Sequence, residues 1–200
     1  MAKLYFRYGA MNSGKTTALI QVAHNYEERG MNVLLVKPFT DTKGADTVVS
    51  RIGASRKVDC LLKPETDVYE LTERENAARP ISCVLCDEAQ FLTPEQAEQL
   101  YMITVKQKIP VIAYGLRADF LNHGFPGSTR LLELAHTVEE LKTICTCGKK
   151  AMINARLVDG KYVFNHSSVV EKLRHWLFSC ILLDSAPARV SSPPGEVSCS

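Results

Sequence analysis

Apolar residues in this chain gather in short runs set off by turn residues, alternating with longer amphipathic stretches. Leu4-Tyr5-Phe6-Arg7-Tyr8 is short, aromatic-rich and ends at Gly9, which predicts a strand. Thr17 to Arg29 predicts a helix, with Leu19, Ile20 and Ala23 among its apolar positions and Gly30 placed for a left-handed C-terminal cap. Val33-Leu34-Leu35-Val36 is unbroken and suits a strand buried on both faces. The segment from Thr40 to Gly53, with Gly44 inside it, reads as loop, and Asp67 to Asn76 as a short helix. Ile81-Ser82-Cys83-Val84-Leu85-Cys86 is a further buried strand ending in Asp87-Glu88. Thr93-Pro94-Glu95-Gln96 predicts a helix start, with Thr as N-cap, Pro at the first helical position and Gln completing a capping box; that helix is expected to reach about Gln107.

Pro110 to Gly115 predicts another buried strand, and Arg117 to Ser128 a polar, irregular loop over a site. Leu131 to Ala135 reads as a short helix, and Val138 to Ile144 and Ala151 to Leu157 as strands. Asp159-Gly160 is a hairpin turn signal leading into Tyr162-Val163-Phe164. Strands alternating with helices to about residue 140 imply an α/β fold with a parallel sheet flanked by helices. Ligands of such sheets lie beyond the carboxyl ends of the strands. Gly9, Asp87 and Gly115 all follow strand ends, so three segments are expected to converge there. The organisation expected is a nucleotide-binding α/β domain over 1–140, a small region over 141–185, and a disordered tail rich in Pro, Ser and Gly over 186–200.

Composition narrows the function. The chain has 200 residues, 46% hydrophobic and 23% charged, an ordinary soluble balance. A net charge of +2 gives no support to nucleic-acid binding, which favours a strong basic excess. Trp176 to Leu183 is far too short to span a bilayer, so no membrane association is expected. No basic stretch followed by an apolar run opens the sequence, so no signal peptide is expected. Seven scattered cysteines then point to reduced thiols in the cytoplasm, with Cys60, Cys83 and Cys86 read as small buried hydrophobes.

Gly9-Ala10-Met11-Asn12-Ser13-Gly14-Lys15-Thr16 fits G-x-x-x-x-G-K-[ST], and it sits between a predicted strand and a predicted helix, the context that supports the motif. The glycines let backbone N–H groups close around phosphate, where the helix N-terminus adds partial positive charge. Lys15 is expected to reach the β- and γ-phosphates of a nucleotide and Thr16 to ligate Mg²⁺. Two carboxylates at the end of a buried strand are costly without partners, and Asp87 is the expected second Mg²⁺ contact.

Four pieces together resemble the cytosolic type of thymidine kinase: Gly9 to Thr16, Asp87-Glu88-Ala89-Gln90-Phe91, Gly115-Leu116-Arg117-Ala118-Asp119-Phe120 with Phe125 beyond, and Leu141 to Gly148. They occur in the family's order over roughly residues 2 to 164. The resemblance implies a RecA-like P-loop fold with a small C-terminal zinc-ribbon-like lid. It implies transfer of the ATP γ-phosphate to the 5′-hydroxyl of thymidine, with Glu88 as catalytic base. The ATP contacts would be Gly9 to Thr16 and Asp87 to Gln90. Met11, Leu116, Phe120 and Phe125 would line the thymine pocket, where aromatic faces suit a flat base. Arg117 is a candidate for developing phosphate charge. Asp41 matches a family acid, and Lys43 stands where relatives commonly carry Arg, keeping the charge without the planar fork. A homotetramer inhibited by dTTP is also implied. Two alternatives compete: a P-loop ATPase or switch acting on nucleic acid or a protein partner, and a nucleotide-binding relative inactivated by its C-terminus.

Cys145 and Cys147 match half of the family's structural Zn²⁺ site, which needs four ligands. Beyond about residue 165 neither a glycine-bearing thymidine loop nor a second Cys/His pair is found, as an altered reading frame would produce. His166, His175 and Cys180 are weak replacement candidates, at a spacing that fits no usual zinc pattern.

Overall fold

A computed structural model describes residues 1–39, 46–145, 148–158, 161–163 and 176–179, with side chains described through residue 155. The first half of the chain carries β1 (Leu4–Tyr8), α1 (Lys15–Glu27), β2 (Asn32–Pro38), β3 (Thr47–Val49), β4 (Ser55–Lys57), β5 (Cys60–Leu62), α2 (Val68–Ala78) and β6 (Ile81–Cys86). There follow α3 (Pro94–Met102), β7 (Val111–Gly115), α4 (Pro126–Leu134), β8 (Thr137–Glu140), β9 (Ile153–Val158), β10 (Lys161–Val163) and β11 (Trp176–Ser179).

Six strands make one sheet in the order β5-β2-β6-β7-β1-β8, and every pairing in it is parallel. Alternate side chains along a strand point to opposite faces, and here both faces are covered. Leu34 and Val36 of β2, Val84 and Cys86 of β6, and Val111 and Ala113 of β7 pack with Leu71, Leu100 and Leu131 from α2, α3 and α4. Val33, Leu35, Cys83, Leu85, Ile112 and Tyr114 face the other way, onto Leu19 and Ala23 of α1. That double burial is why these strands read as unbroken apolar runs. Cys83 and Cys86 are fully buried and Cys60 half-buried, as small hydrophobes should be. A three-stranded antiparallel sheet, β10-β9-β11, and the two-stranded β3–β4 hairpin complete the described structure.

Local chemistry sets most of the boundaries. The helix read from Thr17 begins at Lys15, and Gly30 (φ +70°) ends it as expected. Gly30 N–H donates to Glu27 O at 2.9 Å and Met31 N–H to Tyr26 O at 3.0 Å, the two bonds of a Schellman cap. At α3 both capping-box bonds form, each 3.2 Å: Gln96 N–H to Thr93 Oγ1 and Thr93 N–H to Gln96 Oε1. The expected run to Gln107 departs from α-helix at Ile103–Gln107, a π-helical turn rich in β-branched residues, and stops at Lys108 (φ +61°).

Two loop readings need correction. Within Thr40 to Gly53 the chain makes strand β3, which pairs with β4; residues 40–45, and with them Asp41 and Lys43, lie outside the described residues. Within Arg117 to Ser128, helix α4 already starts at Pro126, five residues before the expected Leu131. Asp159 and Gly160 also lie outside the described residues, although Lys161 pairs with Val158 across them.

Candidate functional site

The phosphate loop runs from the end of β1 into α1. Gly9 sits where a Cβ would come within 2.5 Å of Leu141 O, and Gly9 N–H donates to Gly115 O at 3.3 Å, so its backbone lies against both neighbouring strand ends. Asn12 (φ +61°) and Gly14 (φ +78°) bend the loop into an open nest before the helix. Ser13 N–H donates back to Ala10 O at 3.2 Å. Met11 N–H is held by Asn154 Oδ1 at 2.8 Å, and Asn154 is a buried residue of β9. Nothing in the motif signals that partner, which lies 143 residues away.

Lys15 folds back over the loop, its Nζ donating to Ala10 O at 2.8 Å and Gly9 O at 3.1 Å. Burial lowers its pKa from 10.5 to about 8, against the charges of Glu88 and Asp87, with Arg51 pushing it the same way as burial. The ammonium is thus held for an anionic ligand that would restore its full charge.

Asp87 ends β6 and is 4% exposed. Its N–H donates to Val36 O at 3.1 Å, and its Oδ2 lies 3.5 Å from the Thr16 hydroxyl. Desolvation, then the charge of Glu88, raises its pKa from 3.8 to about 6, although Lys37 and Lys15 favour the anion. A buried, under-compensated carboxylate beside a threonine hydroxyl offers the hard oxygen donors Mg²⁺ prefers. Magnesium is commonly held by one or two protein oxygens plus substrate phosphates, so Thr16 and Asp87 fit it.

Glu88 adopts φ +50°, ψ +38°, a left-handed conformation that is uncommon outside glycine and asparagine. It turns the carboxylate away from the strand direction, where Gln90 Nε2 donates to its Oε2 at 2.6 Å. Gln90 is 2% exposed, and its Oε1 accepts from Leu116 N–H at 3.0 Å. A Cβ on Gly115 would come within 2.9 Å of that amide oxygen, so a glycine there lets Gln90 bridge the ends of β6 and β7. Ala89 is fully buried in the same turn.

A cavity of about 320 Å³ adjoins these groups, lined by Met11, Asn12, Gly14 to Thr17, Glu88 and Leu116 together with Val49 to Ile52. The structure therefore brings together Lys15, Thr16, Glu88, Met11 and Leu116, with Asp87 behind them. Phe120 and Phe125 are half-buried and do not line it; Phe125 packs edge-on to Phe91, ring centroids 5.8 Å apart. Arg117 lies 5.8 Å from the Tyr8 ring centroid, beside a separate shallow cleft with Gly9, Ala10 and Asn154.

Cys145 is buried; its N–H donates to Lys149 O at 2.8 Å, and Gly148 N–H to Cys145 O at 2.9 Å. Cys147, His166, His175 and Cys180 lie outside the described residues. Among the described residues no group of three His, Cys, Asp or Glu could hold a metal.

A parallel sheet with helices on both faces, a glycine loop carrying a lysine and a hydroxyl, and paired carboxylates at its carboxyl edge define a P-loop nucleotide-binding protein. Residues 2–170 match the thymidine kinase family, six residues beyond the stretch read from motifs. The thymidine kinase of Enterobacteria phage T4 is 47% identical over 160 residues, 80% of this chain and 82% of that one. That of Legionella pneumophila strain Lens is 50% identical over 173 residues, 86% of this chain and 80% of that one. That of Ruegeria pomeroyi is 46% identical over 157 residues, 78% and 79%. The chain belongs to the thymidine kinase family. Solved Pif1 helicases from Bacteroides and Candida albicans match at 14% and 16% identity over 74% of this chain, with TM-scores of 0.39 and 0.40, too slight a likeness to argue from. Among the described residues no helix is long and apolar enough to cross a membrane.

Proposed function

We propose that this chain transfers the γ-phosphate of ATP to the 5′-hydroxyl of thymidine, giving dTMP and ADP. The observation that carries the reading is one cavity of about 320 Å³ shared by Lys15, Thr16 and Glu88, with buried Asp87 behind them. The loop from Gly9 to Thr16 wraps the phosphate chain with its N–H groups, and Lys15 exchanges its loop carbonyls for phosphate oxygens. Thr16 and Asp87 are the residues that would hold Mg²⁺, which would supply neutralisation of the phosphate charge there. Glu88 accepts the proton of the 5′-hydroxyl as that oxygen bonds to the γ-phosphorus. The bond from the γ-phosphorus to the β–γ bridging oxygen breaks, and ADP leaves with its electron pair. Gln90 fixes the Glu88 carboxylate through the 2.6 Å bond. Met11 and Leu116 give the base an apolar wall, and the family resemblance assigns Phe120 and Phe125, which lie outside this cavity, to the thymine pocket as well.

On that resemblance we also assign a RecA-like nucleotide domain over 1–140, a lid region over 141–185 carrying Cys145 and Cys147 as zinc ligands, and a tail over 186–200. A cytoplasmic homotetramer inhibited by dTTP is assigned on the same ground. The test is transfer of labelled γ-phosphate from ATP to thymidine by the full chain and by Glu88→Gln. Product from the parent, none from the variant, and ATP binding by both support the reading. ATP binding without product from the parent rejects it in favour of an inactive relative.

A further inference from the structure

The β3–β4 hairpin belongs to no motif and has no role above. Its base is fixed: Val48 is 2% exposed and Val58 5%, both packed in the core on the α1 side, and Arg56 ion-pairs with Glu27 of α1 and with Asp59 at 3.6 Å. Its tip shares a cavity with the phosphate loop. Val49, Ser50, Arg51 and Ile52 line the cavity that holds Lys15, Thr16 and Glu88.

Within the turn the backbone is satisfied, Ser50 N–H donating to Ala54 O at 2.7 Å and Gly53 N–H to Ser50 O at 3.0 Å. Two side chains remain. The Ser50 hydroxyl is buried, the residue being 4% exposed, and has no hydrogen-bond partner, an arrangement native proteins rarely tolerate without a ligand or water. Arg51 is exposed and borders the cavity.

We propose that Ser50 and Arg51 are the second half of the phosphate site: Arg51 is a catalytic cation that contacts the γ-phosphoryl group during transfer, and the Ser50 hydroxyl donates to the same phosphate chain. This rests on the kinase reading. The transferred group spreads its charge over three equatorial oxygens. The loop and Lys15 approach from one side, and Glu88 marks where the acceptor hydroxyl enters. Arg51 lines the same cavity, and a planar guanidinium can meet two oxygens at once, which an ammonium cannot. The hairpin thus supplies from within the chain the arginine that some phosphotransferases receive from a partner.

The test measures Mg-ATP and Mg-ADP affinity by equilibrium dialysis, and single-turnover transfer to thymidine, for the full chain, Arg51→Ala, Arg51→Lys and Ser50→Ala. Arg51 is exposed, so its variants should fold. In Arg51→Ala, ATP affinity is expected to fall about 10-fold with ADP affinity unchanged, and transfer to fall by about 1,000-fold or more. Arg51→Lys should recover part of the transfer. Ser50→Ala should slow transfer while leaving the unliganded protein as stable as the parent. Equal effects on ATP and ADP, or transfer in Arg51→Ala within about twofold of the parent, overturn the assignment. A parent chain that transfers nothing rejects the kinase reading instead, and loss of ATP-over-ADP preference in Arg51→Ala still decides the role of Arg51.

Discussion

Replacing Asp87 with Asn should stabilise the unliganded protein at neutral pH while abolishing its response to Mg-ATP. The magnitude follows from burial. Asp87 is 4% exposed, and its pKa rises from 3.8 to about 6 on folding. The folded protein therefore binds this proton more tightly than the unfolded chain does. That stability is fully present below the unfolded value and is lost as pH rises through about 6. At about 1.4 kcal/mol per unit, the loss near pH 7.5 is about 3 kcal/mol. Asn carries no charge and never incurs it. Burying the Asn amide has a cost of its own, but that cost is the same at every pH. The clean quantity is therefore the change in the mutant's advantage between about pH 4 and about pH 7.5, which should be about 2–3 kcal/mol. For a chain of this size that corresponds to roughly 5–10 °C in midpoint. Urea unfolding followed by circular dichroism at both pH values measures it. A mutant whose advantage is the same at both would refute the claim that desolvation of this carboxylate is what the fold endures. Saturating Mg-ATP should then reverse the order, since mass action stabilises only the protein that binds it.

Two further outcomes follow from neighbouring groups. Lys15 has its pKa lowered to about 8 in the free protein, and a bound phosphate chain raises it again. Calorimetry near pH 9 in buffers of different ionisation enthalpy should therefore show close to one proton taken up per Mg-ATP bound; no uptake at that pH contradicts the account of Lys15. Gln90→Leu removes the donor to Glu88 and the acceptor of the part-buried Leu116 N–H, so unfolding stability should drop by about 1–3 kcal/mol. Its turnover per folded molecule, with the folded fraction measured by circular dichroism under assay conditions, should fall more than its KM for thymidine changes; a turnover that returns to the parent's once corrected for folded fraction contradicts the positioning role of Gln90.

What the sequence disclosed was what is decided within a few residues. Ile81–Cys86, the Thr93 capping box and the Gly30 cap each rest on interactions closed within one or two turns of chain, and each appeared where expected. The convergence of Gly9, Asp87 and Gly115 was legible because parallel sheets place strand ends on one edge. The start of α4 was missed because Gly127 reads as a loop residue. Its actual reason is contact: a Cβ there would lie 2.5 Å from Leu92 O and 2.8 Å from Ala89 O, so the glycine lets the helix rest on the turn after Glu88. The β3–β4 hairpin was missed because its three-residue strands carry no alternating signal and are held by Arg56 and by two valines anchored in the core. Met11 and Leu116 line the cavity, and Phe125 packs edge-on to Phe91, a contact that aromatic character alone does not signal.

The bond from Asn154 to Met11 gives the far end of the chain a stake in the chemistry. Asn154 lies on β9, the middle strand of its sheet, and one of that strand's two neighbours is β11, formed by Trp176–Ser179. The nest proposed to grip phosphate is thus tied to a strand whose own footing is supplied from beyond the stretch that matches the family. Force or disorder introduced near residue 176 would travel two links, strand to strand and then amide to loop, before it reached the nucleotide. A truncation made far from any catalytic group would therefore register first as a slackened hold on ATP.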